Sequence, residues 1–417
     1  MIKYFLACSL LLSIQATAQQ YYFTADRVFD GESIHENWAV VVQGDKIIAI
    51  GSKEKITAPA NSVKINYPNS TLLPGLIEGH SHLLLHPYNE TSWDDQVMKE
   101  SDAYRMARAT VHAKNTLLAG FTTVRDLGSE GAGYSDVELK KAIKDGVIIG
   151  PRMIVAGKAI VATGSYGPKG YDTDVKVMKG AEEADGDNLI KVTRDQIGNG
   201  ADVVKVYADY RWGKQSEAMP TFSIDELKLI VETAKSSGRW VVAHATTIEG
   251  MRRAILAGIE TIEHGDDGTL EIFKLMKEKN VAFCPTIAAG DANTQYHGWK
   301  KGVDPEPQKI KNKKESFKAA LQSGVTILAG GDVGVFAHGD NVRELELMNE
   351  YGMQTFDILK SVTSINAKTF HLENQIGSLK EGLKADLVVV SGDPSKNISD
   401  LRKIKFVMKD GIVVRKE

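Results

Sequence analysis

Trp240-Val241-Val242-Ala243-His244 and Thr261-Ile262-Glu263-His264 are two short apolar runs, each ending on a histidine, and Leu256-Ala257-Gly258-Ile259 lies between them. A short run that is apolar throughout, rather than alternating with polar residues, predicts a strand buried on both faces. A helix-length segment joining two such runs predicts parallel strands with a crossover connection. The unit recurs along the chain. Apolar runs at Leu72–Glu78, Phe121–Asp126, Met153–Ala156, Val203–Tyr207, Ala282–Thr286 and Ile327–Ala329 complete a set of eight. The segments between them carry helix signals. Ser223 and Glu226 form a capping box ahead of Leu227, Ile230, Val231 and Ala234, and Gly238 closes that helix. Glycine stops the helix just before a strand in Leu118-Ala119-Gly120-Phe121, in Leu256-Ala257-Gly258-Ile259 and in Gln322-Ser323-Gly324-Val325. Eight such units predict an α/β fold, a (β/α)8 TIM-type barrel over residues 72–374.

Outside that span the pattern changes. Ala39–Gln43 and Lys46–Ile50 flank Gly44-Asp45, a two-residue hairpin signal. Near the other end, Ala385–Val390 reads as a strand, and Lys405–Met408 and Ile412–Val414 flank a turn at Asp410-Gly411. Neither end has enough strands for a sheet of its own. Residues 19–71 and 375–417 are therefore expected to combine into one small β-sandwich.

Of the 417 residues, 42% are hydrophobic and 25% charged, with a formal net charge of −3, which argues against a nucleic-acid binder. The basic run Lys309–Lys314 sits among Asp304, Glu306 and Glu315 and reads as a solvated helix face. At the N-terminus, Lys3 precedes an apolar stretch from Tyr4 to Ile14 and then Ala16-Thr17-Ala18. That is the form of a secretory signal peptide over residues 1–18, cut after Ala18, and it predicts a periplasmic or secreted protein. Removal of that segment leaves Cys284 as the one cysteine, hence no internal disulfide. No other segment reaches membrane-spanning length.

Polar residues gather at the C-terminal ends of the runs, where a parallel barrel forms its active-site mouth. The first run leads into His80-Ser81-His82, and residues two apart on a strand point the same way, so both imidazoles could hold one metal ion. Two hydrogen-bonding loop histidines are the competing reading. His244 and His264 end successive runs. The last run ends in Gly330-Gly331-Asp332; the glycines allow close backbone approach, and Asp332 reads either as a ligand or as the cap of the next helix. Lys205 lies inside the apolar fourth run. A lysine there must be paired, for instance with Asp202, or deprotonated, or modified. Capped by CO2 as a carbamate, it becomes a two-oxygen anion able to bridge two cations. Two divalent ions bring about +4, and carbamate, Asp332 and a bridging hydroxide bring about −3, which leaves an electrophilic site.

The set His80-Ser81-His82, Lys205, His244, His264 and Asp332, on strands one, four, five, six and eight, resembles the amidohydrolase superfamily. Lys205–Trp212, Asp332–Gly339 and the tail Ala385-Asp386-Leu387-Val388 look most similar to its imidazolonepropionase-like branch, which includes Xaa-Pro and Xaa-Arg dipeptidases. Two departures stand out. Glu78-Gly79 precedes the histidine pair where many members have Asp, and Thr163-Gly164-Ser165-Tyr166 stands where related sequences often show Gly-Gly-His. The resemblance implies that His80, His82 and Asp332 hold one metal, His244 and His264 the other, and carbamylated Lys205 bridges them. Zinc is the default, with manganese or cobalt as alternatives. It further implies attack by metal-activated water on an amide carbonyl, with Asp332 as the catalytic proton shuttle. Tyr207, Tyr210, Arg211 and His338 follow the ligand segments and are the expected substrate contacts, Arg211 clamping a carboxylate. A dipeptide or N-acyl amino acid offers that carboxylate, and a homo-oligomer is the expected assembly. The competing functions are a one-metal hydrolase of cyclic amides and a non-catalytic binding protein on the same barrel.

Overall fold

The computed structural model of the protein describes residues 19–417 apart from Thr173. The segment read as a signal peptide lies outside the described residues.

The predicted runs form the barrel wall. Leu76–Ser81, Phe121–Asp126 and Arg152–Val155 are hydrogen-bonded in parallel. Val204–Tyr207, Val241–Ala245, Thr261–His264 and Ala282–Cys284 form the opposite arc, also parallel. Two irregular joints close the circle. At one, the amides of Asp202 and Val203 both donate to the Val155 carbonyl, at 2.8 and 3.3 Å. At the other, the eighth run contributes a single bridge, Phe283 to Ile327, rather than a full strand. From there the Gly79 amide donates to the Ala329 carbonyl at 2.9 Å, and the His82 amide to the Val333 carbonyl at 2.7 Å. The glycines are what permit this seam. A Cβ on Gly330 would meet Cys284 Sγ at 2.6 Å and the His80 nitrogen at 2.7 Å.

The two chain ends share one eight-stranded sheet. Leu387–Ser391 from the C-terminal side pairs antiparallel with Val63–Pro74 from the N-terminal side, and the remaining strands extend outward from that junction. The sheet curls until Lys46 bridges Lys384, so its inner faces meet around one core of Phe23, Val40, Ile65, Val389 and Phe406. Phe23 and Phe406, from opposite ends of the sequence, meet edge to face at 5.2 Å. The boundary differs from the expected one. Leu72, Leu73 and Pro74 pair with Val389, Val388 and Leu387, so they belong to the sheet, and the first barrel strand begins at Leu76. Gly75 makes the transfer, because any Cβ there would lie 2.1 Å from Thr122 Oγ1.

The Ala385–Val388 tail has a clear mechanical role. Asp386 accepts a bond from Arg152 Nη1 at 2.7 Å, and Asp410 one from Arg152 Nη2 at 2.6 Å. Arg152 starts the third barrel strand, so one guanidinium fastens the sheet to the barrel through two charge-assisted bonds.

Candidate metal centre

Four imidazoles line up across the barrel mouth. The rings of His82 and His80 are 5.3 Å apart, His80 and His264 5.2 Å, and His264 and His244 4.4 Å. Asp332 closes one end of this row. Its Oδ1 lies 3.3 Å from His82 Nε2 and 3.6 Å from His80 Nε2, and one ligand atom from each of the three residues falls within 4.8 Å of the others. Asp332 does not cap the following helix; that helix, Val342–Glu350, begins after Asn341. His264 and Asp332 both adopt left-handed backbone, at φ +76 and +59. Such conformations cost on the order of 1–3 kcal/mol each in non-glycine residues and cluster where side chains must be aimed.

The far side of each ring is fixed by the protein. His80 Nδ1 meets Glu263 Oε2 at 2.9 Å, His82 Nδ1 the Gly128 carbonyl at 2.9 Å, and His264 Nδ1 Thr286 Oγ1 at 2.8 Å. His244 Nε2 lies 3.7 Å from Asp209, a buried carboxylate held by the amides and hydroxyls of Thr246 and Thr247. Outer partners of this kind fix ring orientation and tautomer. Burial, aided by the charge of Lys205, lowers His80 to about 4 and His244 to about 3, leaving both imidazoles neutral, as metal ligation requires. Burial also disfavours a charged His82, yet the hydrogen bond and charge of Asp332 raise it to about 9. The gap between His82 and Asp332 thus favours a positive charge.

Lys205 sits 1% exposed on the fourth strand, and its Nζ has no hydrogen-bond partner among the described residues. Its charge is felt by His80, His244, His264 and Asp332. Asp202, the alternative partner, is engaged elsewhere, by Lys140 at 2.6 Å. Burial lowers the amine's pKa, although the carboxylates of Glu263, Asp332 and Glu130 oppose the shift. An orphaned amine in low dielectric beside three neutral imidazoles and a carboxylate is a poor structural element. With His80, His82 and Asp332 converging beside it, the residues present fit a metal group.

Residues with no assigned role in the sequence reading complete the centre. Arg125, 1% exposed, donates to Glu263 Oε1 and the Gly79 carbonyl at 2.9 and 2.7 Å, and to Thr261 Oγ1 at 3.0 Å. Burial works against charge on Glu263, but Arg125 and His80 hold it well below the usual carboxylate range. The same signal that drew attention to Lys205, a cation inside an apolar run, also marks Arg125 in Phe121–Asp126. Glu78, a departure from the family pattern, accepts from the amides of His80 and Gly331 at 3.1 and 2.8 Å and from Asn341 at 2.9 Å, tying the first strand to the Asp332 loop. Lys313 leaves the solvated face expected of its run: it is buried and reaches the His264 carbonyl and Asp266. Replacing Arg125 with Met strands the Glu263 charge. Chemical denaturation should show a loss of about 3–5 kcal/mol, the usual result of breaking a buried pair from one side. A change below about 1 kcal/mol would mean that the hydrogen bond from His80 Nδ1 alone satisfies Glu263.

A cavity of about 560 Å³ opens over His244, His264 and Asp332, walled by Tyr88, Tyr210, Arg211 and Lys309 among others. Of the expected substrate contacts, Tyr210 and Arg211 therefore face it. Tyr207 does not line it: the ring stacks on His244 at 4.6 Å and the hydroxyl points to Tyr166 and Glu130. His338 is not brought to the cleft. It is 7% exposed, stacked on His112 at 4.4 Å, with Nε2 on the Leu85 carbonyl at 3.0 Å, because the turn after Asp332 carries it behind the first strand.

The model of the amidohydrolase family matches residues 71–414. The ochratoxinase of Aspergillus niger is 30% identical over 414 residues, spanning 91% of this chain and 82% of that protein. Its crystal structure superposes with a TM-score of 0.81 at 26% identity, covering 96% of each chain. A Xaa-Pro dipeptidase crystallised with methionine in its active site gives a TM-score of 0.84 at 30% identity, over 95% of this chain and all of that one. A prolidase complexed with N-methylphosphonate-L-proline gives 0.81 at 26% identity, over 96% of this chain and all of that one. Among the described residues no helix is long and apolar enough to cross a membrane.

Proposed function

The chain belongs to the amidohydrolase family and is a hydrolase of carbon–nitrogen bonds, and on that premise we propose that it cleaves the amide of a dipeptide or N-acyl amino acid. The observation that carries the reading is a fully buried Lys205 amine, without a hydrogen-bond partner among the described residues, beside the convergent His80, His82 and Asp332. His80, His82 and Asp332 would hold one divalent ion, His244 and His264 a second, and Lys205, carbamylated by CO2, would join them. Zinc suits this imidazole and oxygen set best, and manganese or cobalt would also fit. Ions held there supply a polarised carbonyl and a water that ionises near neutrality.

The chain's own groups do the rest. Asp332, in reach of both imidazoles of the first strand, takes the proton released as the carbonyl is attacked and returns it to the departing amine. Arg211, on the cleft wall, orients the substrate carboxylate, with Tyr88 and Tyr210 packing beside the scissile group. The dipeptidase and prolidase likenesses favour substrates with a free carboxylate next to the amide. The N-terminal stretch read as a signal peptide supports an activity outside the cytoplasm, where the enzyme would process small scavenged peptides, and we expect it to be a homo-oligomer.

The test is amine release from a panel of Xaa-Pro, Xaa-Arg and N-acyl amino acids with zinc present. Turnover should appear on at least one class, vanish with a chelator and return with added metal. Folded, metal-loaded protein that is silent on the whole panel would overturn the reading, and one ion per chain would favour a mononuclear cyclic-amide hydrolase.

A further inference from the structure

We infer that Glu130 is a positioning residue, which orders an aromatic wall behind the candidate metal centre and through it sets the His244 imidazole. The inference rests on the reading above that His244 belongs to the metal-holding set.

Glu130 follows the second barrel strand and is 3% exposed. Three donors from three other segments converge on its carboxylate. Trp93 Nε1, from the segment after the first strand, reaches Oε2 at 2.9 Å. The Tyr166 hydroxyl, from the loop after the third, reaches Oε2 at 2.7 Å, and the Tyr207 hydroxyl, from the fourth strand, reaches Oε1 at 3.3 Å. All three are neutral, so the carboxylate acts here through direction rather than ion pairing. The rings close around it: Tyr166 packs on Trp93 at 5.2 Å, on Tyr207 at 4.6 Å and on Tyr210 at 4.7 Å. Tyr207 then lies almost parallel to His244, 4.6 Å away at 21°.

The carboxylate is itself built into place. Glu130 holds left-handed backbone at φ +48, which for a glutamate persists only when surrounding contacts demand it. Arg105, buried, supplies that demand: its guanidinium donates to the carbonyls of Glu130, Ser129 and Leu84 at 2.8, 3.1 and 3.0 Å. Tyr166 thus sets an aromatic hydroxyl on Glu130 at that point. Glu130 touches none of the reacting atoms; its effect passes through Tyr207 to His244.

The experiment measures metal affinity by chelator competition, with thermal melts to confirm folding and steady-state kinetics alongside. Glu130→Leu removes the acceptor and should weaken metal binding roughly tenfold or more, as loss of an outer partner commonly does, and lower kcat more than it raises KM. Glu130→Gln should recover most of both. Its oxygen can accept from Trp93 and Tyr166 while its amide donates to the Tyr207 hydroxyl. Tyr207→Phe keeps the ring and loses the tether, and should shift metal affinity in the same direction by less. A folded Glu130→Leu protein with wild-type affinity overturns the inference, as does a glutamine variant as weak as the leucine one. If the leucine variant does not fold, Tyr207→Phe decides, and unchanged affinity there overturns it. Wild-type protein that takes up no metal sinks the metal reading and this inference with it, whereas metal bound equally by all variants sinks this inference alone.

Discussion

Asp332→Asn protein should retain its metal and lose roughly 10²- to 10⁴-fold in kcat, the range expected when a positioned acid–base group is removed. The substitution is chosen because it spares everything else. Asn keeps an oxygen in the place of the Oδ1 that lies 3.3 Å from His82 Nε2. Asparagine also tolerates the left-handed backbone at φ +59 better than other non-glycine residues, so the loop should hold its course. What disappears is basicity. Burial disfavours the carboxylate, but His80, His82 and the uncapped Lys205 amine lower Asp332 to about 2 in the metal-free protein, so it stands ionised there. An amide cannot. Metal content by elemental analysis and kcat on the best substrate of the panel settle the matter. Turnover within threefold of wild type would remove Asp332 from the proton pathway.

The second large effect is expected at Lys205. Lys205→Ala should fall well below the wild-type metal content and lose most activity, with part of both restored by a short-chain carboxylate. The amine is buried without a hydrogen-bond partner among the described residues, and bare ammonium in that setting is costly. Carbamate formation removes the difficulty: the ammonium loses one proton, the neutral nitrogen bonds to the CO2 carbon, a second proton leaves, and a cation becomes an anion in reach of the imidazoles. Alanine leaves a cavity of the lost side chain, into which a small carboxylate can diffuse and supply the missing oxygens. Full occupancy by metal in the alanine variant would show that Lys205 bridges nothing. It would return the residue to the role of a deprotonated core amine.

Strand positions were legible because a strand buried on both faces must be apolar along its whole length, a local demand. His80, His82, Lys205, His244, His264 and Asp332 were legible because polar side chains interrupt such runs only at the barrel mouth or for a reason. Arg125 broke the same rule and was not singled out, since its meaning depends on Glu263, 138 residues away. His338 was expected at the cleft because it follows Asp332 by six residues. The turn beyond Asp332 sends it behind the first strand, and no residue count shows where a turn will point.

Sequence periodicity and the placement of polar residues were thus enough to define an eight-unit barrel, a sheet shared by the two chain ends and six candidate ligands. Closure of the barrel decided the rest: the Gly330 seam, the bracing of His80 through Glu263 and Arg125, the convergence of Trp93, Tyr166 and Tyr207 on Glu130. Burial and period are properties of neighbouring residues along the chain. Hydrogen-bond partners around the barrel are set by which segments end up adjacent and how far each has slid, and those depend on all eight units at once.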